Sequence, residues 1–251
     1  MSTTPETSGF ETLALESIDA HVTIVRLNRP DASNALNTQM GRDLVRYFED
    51  VNLDPAELRC IVLTGTGDKA FCAGGDLKER RGMTDEQWMR QHVIFERMAR
   101  ALIDCPVPII GAVNGAAYGG GCEIAAACDF LYAADSARFA LTEVTLGIMP
   151  GSGGTQTLPR AVGERRAKEL ILTGKPFTAT EARDWGLVNE VFPLAELLPA
   201  ALATASRIAR NAPIELREER GQCGFTSHPL KERGNFVRVG HGRLNSSDVG
   251  A

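Results

Sequence analysis

The sequence predicts an α/β fold with a sheet core in its first part and a helical region in its later part. Short apolar segments of strand length alternate with longer segments of helical periodicity as far as Ala133. After Gly154, helical periodicity dominates. Alternation of this kind is typical of a sheet covered by helices. The chain of 251 residues is long enough for one large core.

The first elements are two strands, Phe10–Ser17 and Val22–Leu27, joined at Asp19-Ala20. A helix is predicted over Asn37–Phe48, because its apolar residues recur three and four positions apart. The continuous apolar segment Cys60–Thr64 has the length and β-branched content of a buried strand.

Further along, Thr84 is expected to cap a long helix that ends before Cys105-Pro106. A second buried strand is predicted at Ile109–Val113. The glycine cluster at 119–121 then opens a short alanine-rich helix, and a strand follows at Phe130–Ala133.

The later part of the chain is predicted to be helical over Glu164–Leu172, Ala179–Trp185 and Leu194–Ala209. A boundary near Phe192-Pro193 divides a core at 1–192 from a C-terminal region at 193–251. From Gly221 to Ala251, Gly, Ser, Arg and Asn interrupt every apolar period, so we expect an atypical, weakly structured tail.

Composition excludes several classes of protein. The net charge of −5 disfavours a nucleic-acid binder, and no apolar segment reaches the ~18 residues of a membrane helix. Met1–Glu16 has the features of neither a secretory signal nor a transit peptide, which predicts a cytoplasmic location. Six cysteines without a C-x-x-C pair are expected to be buried free thiols. The four histidines form no metal-binding pattern, and no G-x-S-x-G motif is present, so we expect neither a metal site nor a serine hydrolase.

Glycine is over-represented, with 25 residues against the roughly 18 of an average chain of this length. The first cluster, Gly65–Ala70, matches the loose dinucleotide fingerprint G-x-G-x-x-[G/A]. That motif must open a helix, but Phe71–Gly75 follows at once and is a poor helix former. No tyrosine is followed four positions later by lysine, so a short-chain dehydrogenase is also disfavoured.

Two further glycine clusters each allow two interpretations. Ala73–Lys78 is either a turn that leaves a strand or a place where a backbone N–H meets a ligand oxygen. Gly119–Gly121 either permits tight packing or offers N–H groups at the positive end of a helix dipole, where an oxyanion would be stabilised.

Two glutamates make the second interpretation chemically useful. Glu123 begins an apolar helix, as a first-turn acid favoured by the dipole or as a functional group. Glu143 has few polar neighbours within Phe139–Met149, so it lies at an exposed bend or has a raised pKa that serves proton transfer. Two carboxyl groups beside glycine-lined N–H sites indicate acid/base chemistry next to an oxyanion hole.

Taken together, these motifs resemble the crotonase (enoyl-CoA hydratase/isomerase) superfamily. The resemblance covers residues 10–215, and its motifs occur in the family's order. The segments that carry it are Phe71–Lys78, Asn114–Glu123, Pro150–Gln156, Leu172–Gly174 and Ala182–Val188.

The resemblance implies a spiral core of β-β-α turns and a C-terminal helical region that builds trimers or dimers of trimers. It also implies a coenzyme A thioester as the substrate, with no separate cofactor. The thioester oxygen would accept hydrogen bonds from the backbone N–H groups of Gly75 and Gly120. The implied substrate-binding residues are Ala73, Gly74, Gly75, Asp76, Leu77, Lys78 and Gly120.

Family hydratases carry both glutamates, whereas family isomerases usually lack one. The resemblance therefore implies a hydro-lyase that adds water to a 2-enoyl-CoA and gives a 3-hydroxyacyl-CoA, with Glu123 mainly as base and Glu143 mainly as acid. A Δ3-Δ2 isomerase remains an alternative, as does a branched-chain methylglutaconyl-type hydratase, which Leu77–Arg80 also resembles. A non-catalytic binding or RNA-associated member is a third alternative.

Two departures from the family pattern bear on ligand binding. Asp31 follows Asn28-Arg29-Pro30, where relatives often have a lysine that favours coenzyme A. Arg29 or a partner subunit is a candidate to compensate, and Lys78 is either a phosphate ligand or a solvated lysine. The tail after Gly221 lacks the amphipathic helices of relatives, which suggests divergence or a shifted reading frame.

Overall fold

The computed structural model describes residues 9–213, 216, 217 and 220. Within them, the strands are β1 (Leu13–Ser17), β2 (Val22–Leu27), β3 (Cys60–Gly65), β4 (Ala70–Cys72), β5 (Ile109–Val113), β6 (Ala116–Tyr118), β7 (Phe130–Ala134), β8 (Arg138–Ala140), β9 (Phe177–Thr178) and β10 (Glu190–Phe192). The helices are α1 (Thr38–Leu53), α2 (Leu77–Arg80), α3 (Asp85–Ile103), α4 (Gly120–Ala127), α5 (Gly154–Val162), α6 (Glu164–Thr173), α7 (Ala179–Asp184) and α8 (Leu194–Ala209). Short 3-10 turns occupy Pro30–Ala32 and Glu143–Leu146.

The strands form two sheets. The larger sheet has the order β1-β2-β3-β5-β7-β10, in which β1 and β2 are antiparallel and the other pairs are parallel. The smaller sheet has the order β4-β6-β8-β9, in which only the β8–β9 pair is antiparallel. Strands β3, β5 and β7 of the larger sheet are each followed by a strand of the smaller one. The chain therefore repeats β-β-α turns, and the predicted α/β spiral is confirmed.

Local signals in the sequence correctly indicate where the main helices begin. The Asn37 side chain accepts a hydrogen bond from the N–H of Met40 at the start of α1. Thr84 and Gln87 form a reciprocal capping box at the start of α3. Helix α1 runs further than predicted because it keeps burying side chains as far as Val51.

The sequence did not predict the small sheet or helix α5. Strands β4, β6 and β8 have three residues each, which is too short for an alternating pattern to be recognised. Helix α5 contains Pro159, a residue that normally argues against a helix. The first strand begins at Leu13 rather than at Phe10.

Helix α8 has the predicted bounds and lies against strands β3, β5 and β7 of the larger sheet. Its buried residues are Leu197, Ala201, Ala205 and Ala209. The division into a core at 1–192 and a subunit-joining region at 193–251 stays a prediction. The tail from Gly221 to Ala251 lies outside the described residues.

The five described cysteines are buried free thiols, as their apolar surroundings in the sequence indicate. The sixth, Cys223, lies outside the described residues. None of the described helices is both long and apolar enough to cross a lipid bilayer.

Candidate active site

A cavity of about 250 Å³ lies where the small sheet meets α3 and α4. The loop after β4 forms one wall, the start of α4 another, and the 3-10 turn that begins at Glu143 a third. Helix α3 adds Trp88, His92 and Phe95, all within the helix that the sequence places between Thr84 and Cys105.

Most of the predicted site residues line this one cavity. They are Ala73, Gly74, Gly75, Leu77, Gly120, Glu123 and Glu143. Asp76 and Lys78 are not part of its wall: Asp76 is buried behind the loop, and Lys78 is exposed to solvent.

The backbone N–H groups of Gly75 and Gly120 both lack a hydrogen-bond acceptor among the described residues. The loop after β4 pairs with Leu36, which donates its N–H to the Gly74 carbonyl oxygen at 2.8 Å and accepts the N–H of Asp76 at 2.9 Å. The N–H of Gly75 takes no part in this pairing, and no described residue accepts a hydrogen bond from it. Gly120 is the first residue of α4, so its N–H has no partner inside the helix, and none among the other described residues.

Glu123 is held in place by the loop that precedes α5. Its Oε1 accepts the N–H of Ser152 at 2.7 Å and that of Gly154 at 2.8 Å. The side chain is buried, and burial together with the charge of Glu143 raises the pKa of Glu123 to about 7, although these N–H groups oppose the shift. A carboxyl group of this kind exchanges its proton near neutral pH.

Glu143 is buried at the first position of its 3-10 turn, so it does not lie at an exposed bend. Its Oε2 is buried and has no hydrogen-bond partner among the described residues. Burial raises the pKa of this carboxyl, while its own backbone N–H and the Arg80 guanidinium act in the opposite direction. The group is therefore poorly solvated and aimed into the cavity that Glu123 shares.

Arg29 is engaged within the molecule. Its Nη2 lies 2.9 Å from Oδ2 of Asp76, and its Nη1 donates to the carbonyl oxygen of Ala35 at 2.5 Å. Asp31 is exposed on the adjacent 3-10 turn. The hypothesis that Arg29 replaces the missing lysine as a phosphate ligand is therefore disfavoured.

Sequence reasoning missed four residues that contribute to the site. Arg80 and Leu36 line it, and the N–H groups of Ser152 and Gly154 bind Glu123. A glycine-rich segment just before a helix was the available signal for the last two, since it often exposes N–H groups. No local pattern marks Arg80 or Leu36. In the described part of the chain, no group of three or more His, Cys, Asp or Glu side chains is placed to hold a metal ion.

Comparison with known proteins gives one consistent result. A model of the enoyl-CoA hydratase/isomerase family matches residues 17–223. The putative enoyl-CoA hydratase/isomerase YngF of Bacillus subtilis is 44% identical over 198 residues, which is 79% of this chain and 76% of YngF. The short-chain-enoyl-CoA hydratase of Clostridium acetobutylicum is 41% identical over 199 residues, with coverage of 79% and 76%. A crystal structure of an enoyl-CoA hydratase from Bacillus anthracis superposes with a TM-score of 0.84 at 39% identity and covers 92% of this chain and 90% of that one.

Proposed function

The chain belongs to the enoyl-CoA hydratase/isomerase family, and we propose that it adds water across the double bond of a 2-enoyl-CoA thioester to give a 3-hydroxyacyl-CoA. One observation carries the choice of hydration. Two buried carboxyl groups, Glu123 and Glu143, line the same cavity as two glycines whose backbone N–H groups have no described acceptor. The hydratase names of similar curated proteins support the same reaction.

In the proposed complex, the thioester oxygen lies between the N–H groups of Gly75 and Gly120. Attack of water on the conjugated double bond moves negative charge onto this oxygen, so the two donors bind the enolate more strongly than the substrate. Each donor of this type contributes about 3–4 kcal/mol to transition-state stabilisation. Because Gly120 opens α4, the positive end of that helix adds to the effect.

The two glutamates then divide the proton transfers. Glu123 removes a proton from water as the water oxygen bonds to C3, and Glu143 delivers a proton to C2. Both new bonds form at the former double bond, and exchange of one proton between the carboxyl groups and solvent restores the starting state. A pKa of about 7 suits Glu123 to the role of base, although two such close groups titrate as a pair.

Coenzyme A enters as part of the substrate, so the proposed reaction uses no further cofactor. The exposed edge of the loop, with Ala73, Leu77 and Lys78, is the proposed path of the pantetheine and nucleotide. We also propose a homotrimer or a dimer of trimers, which light scattering of the purified protein tests directly.

Incubation of the purified protein with crotonyl-CoA tests the function. Hydration removes the conjugated double bond, so the absorbance of the unsaturated thioester is expected to fall and 3-hydroxybutyryl-CoA to appear. An unchanged absorbance with crotonyl-CoA, together with conversion of a 3-enoyl-CoA into its 2-enoyl isomer, would instead identify an isomerase.

A further inference from the structure

We propose that the hydroxyl of Ser152 accepts a hydrogen bond from the attacking water, which makes Ser152 a third catalytic side chain beside Glu123 and Glu143. The proposal rests on the hydration reaction proposed above and adds a residue to that same site. It starts from a buried hydroxyl in the cavity wall that the mechanism given so far does not use.

Ser152 lies in the glycine-rich loop that precedes α5. It is 6% exposed and lines the cavity together with both glutamates. Its neighbours in this loop, at positions 151, 153 and 154, are all glycine, so Ser152 supplies the only side chain between Pro150 and Thr155. Any side-chain contact that this part of the loop makes with a substrate or a water molecule therefore comes from Ser152.

The Ser152 hydroxyl has no hydrogen-bond partner among the described residues, although the backbone N–H of the same residue has one. Three fully enclosed side-chain atoms in this part of the chain also lack a partner, and they belong to Asn52, Thr66 and Glu143. The Oγ atom of Ser152 is not one of them, so it keeps some contact with solvent. Because the residue is buried and borders the cavity, we infer that this contact is with the cavity.

The hydroxyl is close to the carboxyl group that acts as the base. The N–H of Ser152 lies 2.7 Å from Oε1 of Glu123. A serine Oγ is about 3–4 Å from its own backbone nitrogen, so Oγ of Ser152 lies within about 6–7 Å of that carboxyl oxygen. A water that donates one hydrogen bond of about 2.8 Å to each of two acceptors bridges a gap of this order.

The two oxygens of Glu123 have different surroundings. Its Oε1 accepts the N–H groups of Ser152 and Gly154, whereas its Oε2 lies 4.0 Å from the position that a Cβ atom on Gly120 would take. Oε2 is therefore the oxygen on the side of the proposed oxyanion hole, and it is the atom that takes the proton of the water.

The hydrogens of the water show why a third group is needed. The bond from the water oxygen to one hydrogen breaks as Glu123 takes that proton, and a lone pair of the same oxygen forms the bond to C3. The second O–H bond stays intact and becomes the hydroxyl of the product. Glu143 enters the reaction protonated, with its proton directed at C2, so it is poorly suited to accept this second hydrogen.

A serine hydroxyl has two lone pairs and is well suited to that role. An O–H group left without an acceptor in a cavity from which bulk water is excluded is costly. With one hydrogen on Glu123 and the other on Ser152, the water cannot rotate, and its lone pair stays directed at C3. The contribution of Ser152 is therefore expected in the addition of water and not in the transfer of a proton at C2.

The experiment compares two reactions that share the oxyanion hole and Glu143. One is hydration of crotonyl-CoA, and the other is exchange of a C2 proton of butyryl-CoA for deuterium in D₂O, in which an enolate forms but no water is added. Both rates are measured in the wild type, in Ser152→Ala and Ser152→Cys, and in Ser136→Ala. Ser136 is an exposed serine between β7 and β8 and serves as the matched control.

We expect Ser152→Ala to lower kcat for hydration about 10-fold and to leave the exchange rate unchanged. Ser152→Cys keeps a side chain of similar size but offers only a weak acceptor, so its hydration rate is expected to be nearly as low. Ser136→Ala is expected to match the wild type in both reactions. The pH profile of hydration is expected to keep its shape in every variant, and thermal unfolding shows that each variant is folded.

Four results would overturn the proposal. Hydration by Ser152→Ala at the wild-type rate would show that the hydroxyl is not needed, and full activity in Ser152→Cys would show that only the packing of the side chain matters. An equal loss of hydration and exchange would assign the effect to the oxyanion hole or to Glu143. A shifted pH profile in Ser152→Ala would mean that Ser152 acts through the pKa of Glu123.

A failure of the proposed function is recognised separately, in the wild type. A wild type that exchanges the C2 proton of butyryl-CoA but does not hydrate crotonyl-CoA would overturn the hydratase function, and the role of Ser152 with it.

Discussion

Arg29 and Asp76 form an ion pair in which Nη2 lies 2.9 Å from Oδ2. The other oxygen of Asp76 accepts the N–H groups of Lys78 and Glu79 in the first turn of α2, and the second terminal nitrogen of Arg29 donates to the Ala35 carbonyl oxygen. One guanidinium thus joins two chain segments directly beside Gly75. From these contacts we infer that the ion pair fixes the position of the Gly75 N–H, which makes Arg29 a positioning residue.

Replacing Arg29 by methionine is expected to lower kcat about 10- to 100-fold, because small displacements of a group that acts in the transition state have effects of this size. KM is expected to change little, since the N–H of Gly75 binds the enolate more strongly than the substrate. Steady-state kinetics with crotonyl-CoA measures both parameters. Arg26→Met, which removes a partly exposed pair with Glu16, is the control and is expected to leave kcat unchanged. A change confined to KM in Arg29→Met would show that Arg29 acts on binding alone.

Replacing Glu143 or Glu123 by glutamine is expected to lower the hydration rate by about 10²- to 10⁴-fold, because an amide neither takes nor delivers the proton at neutral pH. The side chain keeps its size, so we expect the far-ultraviolet circular dichroism spectrum to stay the same. Glu164→Gln alters a fully exposed carboxyl group and is expected to keep full activity. If Glu143→Gln hydrates crotonyl-CoA at the rate of the wild type, Glu143 has no part in the mechanism.

The pH profile of kcat/KM is expected to be bell-shaped. Hydration needs one ionised and one protonated carboxyl group, so the pair must hold a single proton. Glu123 acts as the base and must be ionised, so activity is expected to fall about tenfold per pH unit below the Glu123 pKa of about 7. A second decline is expected on the alkaline side, where Glu143 has lost the proton that it delivers to C2. A profile that falls steadily as the pH rises through about 7 would contradict this assignment.

The unfolding free energy is expected to depend on pH through the carboxyl group of Glu123. The folded state binds the Glu123 proton up to about pH 7, whereas the unfolded chain releases it near the usual glutamate pKa of 4.5. Between these values the folded state holds more protons, so the contribution of Glu123 to the unfolding free energy falls as pH rises, by about 3 kcal/mol in total. Urea unfolding at about pH 5 and about pH 8 measures this contribution as the difference between wild type and Glu123→Gln. If the unfolding free energy of Glu123→Gln depends on pH in the same way as that of the wild type, Glu123 makes no such contribution.

Gly121→Ala is expected to be strongly destabilising. A Cβ atom there would lie 2.1 Å from the carbonyl oxygen of Cys72, so α4 would have to move away from β4. We expect a loss of about 3 kcal/mol or more in unfolding free energy. Gly82→Ala meets no atom within 4 Å and is expected to stay within about 0.5 kcal/mol of the wild type. Equal melting temperatures for the two variants would show that α4 moves away from β4 at little cost in free energy.

The limits of sequence-based prediction follow the length of each element. Strands β3 and β5 are continuous apolar segments, and α8 repeats its apolar period over 16 residues, so their positions were predicted closely. Strand β4, with three residues, was not predicted, although the sequence showed that Phe71–Gly75 is not a helix. Short strands of this kind owe their conformation to the neighbouring strand rather than to their own pattern.

The sequence by itself determined the helix caps, the buried strands, the glycine clusters and the presence of two glutamates in apolar surroundings. Each of these features depends only on residues that are neighbours along the chain. Only the tertiary structure decided that Glu123 and Glu143 share one cavity, that Ser152 and Gly154 bind Glu123, and that Arg29 is committed to Asp76. These contacts join residues from different turns of the spiral, and no local periodicity encodes them. They exist because the small sheet and α4 bring distant loops to the same side of the core. Burial there raises the pKa of both glutamates.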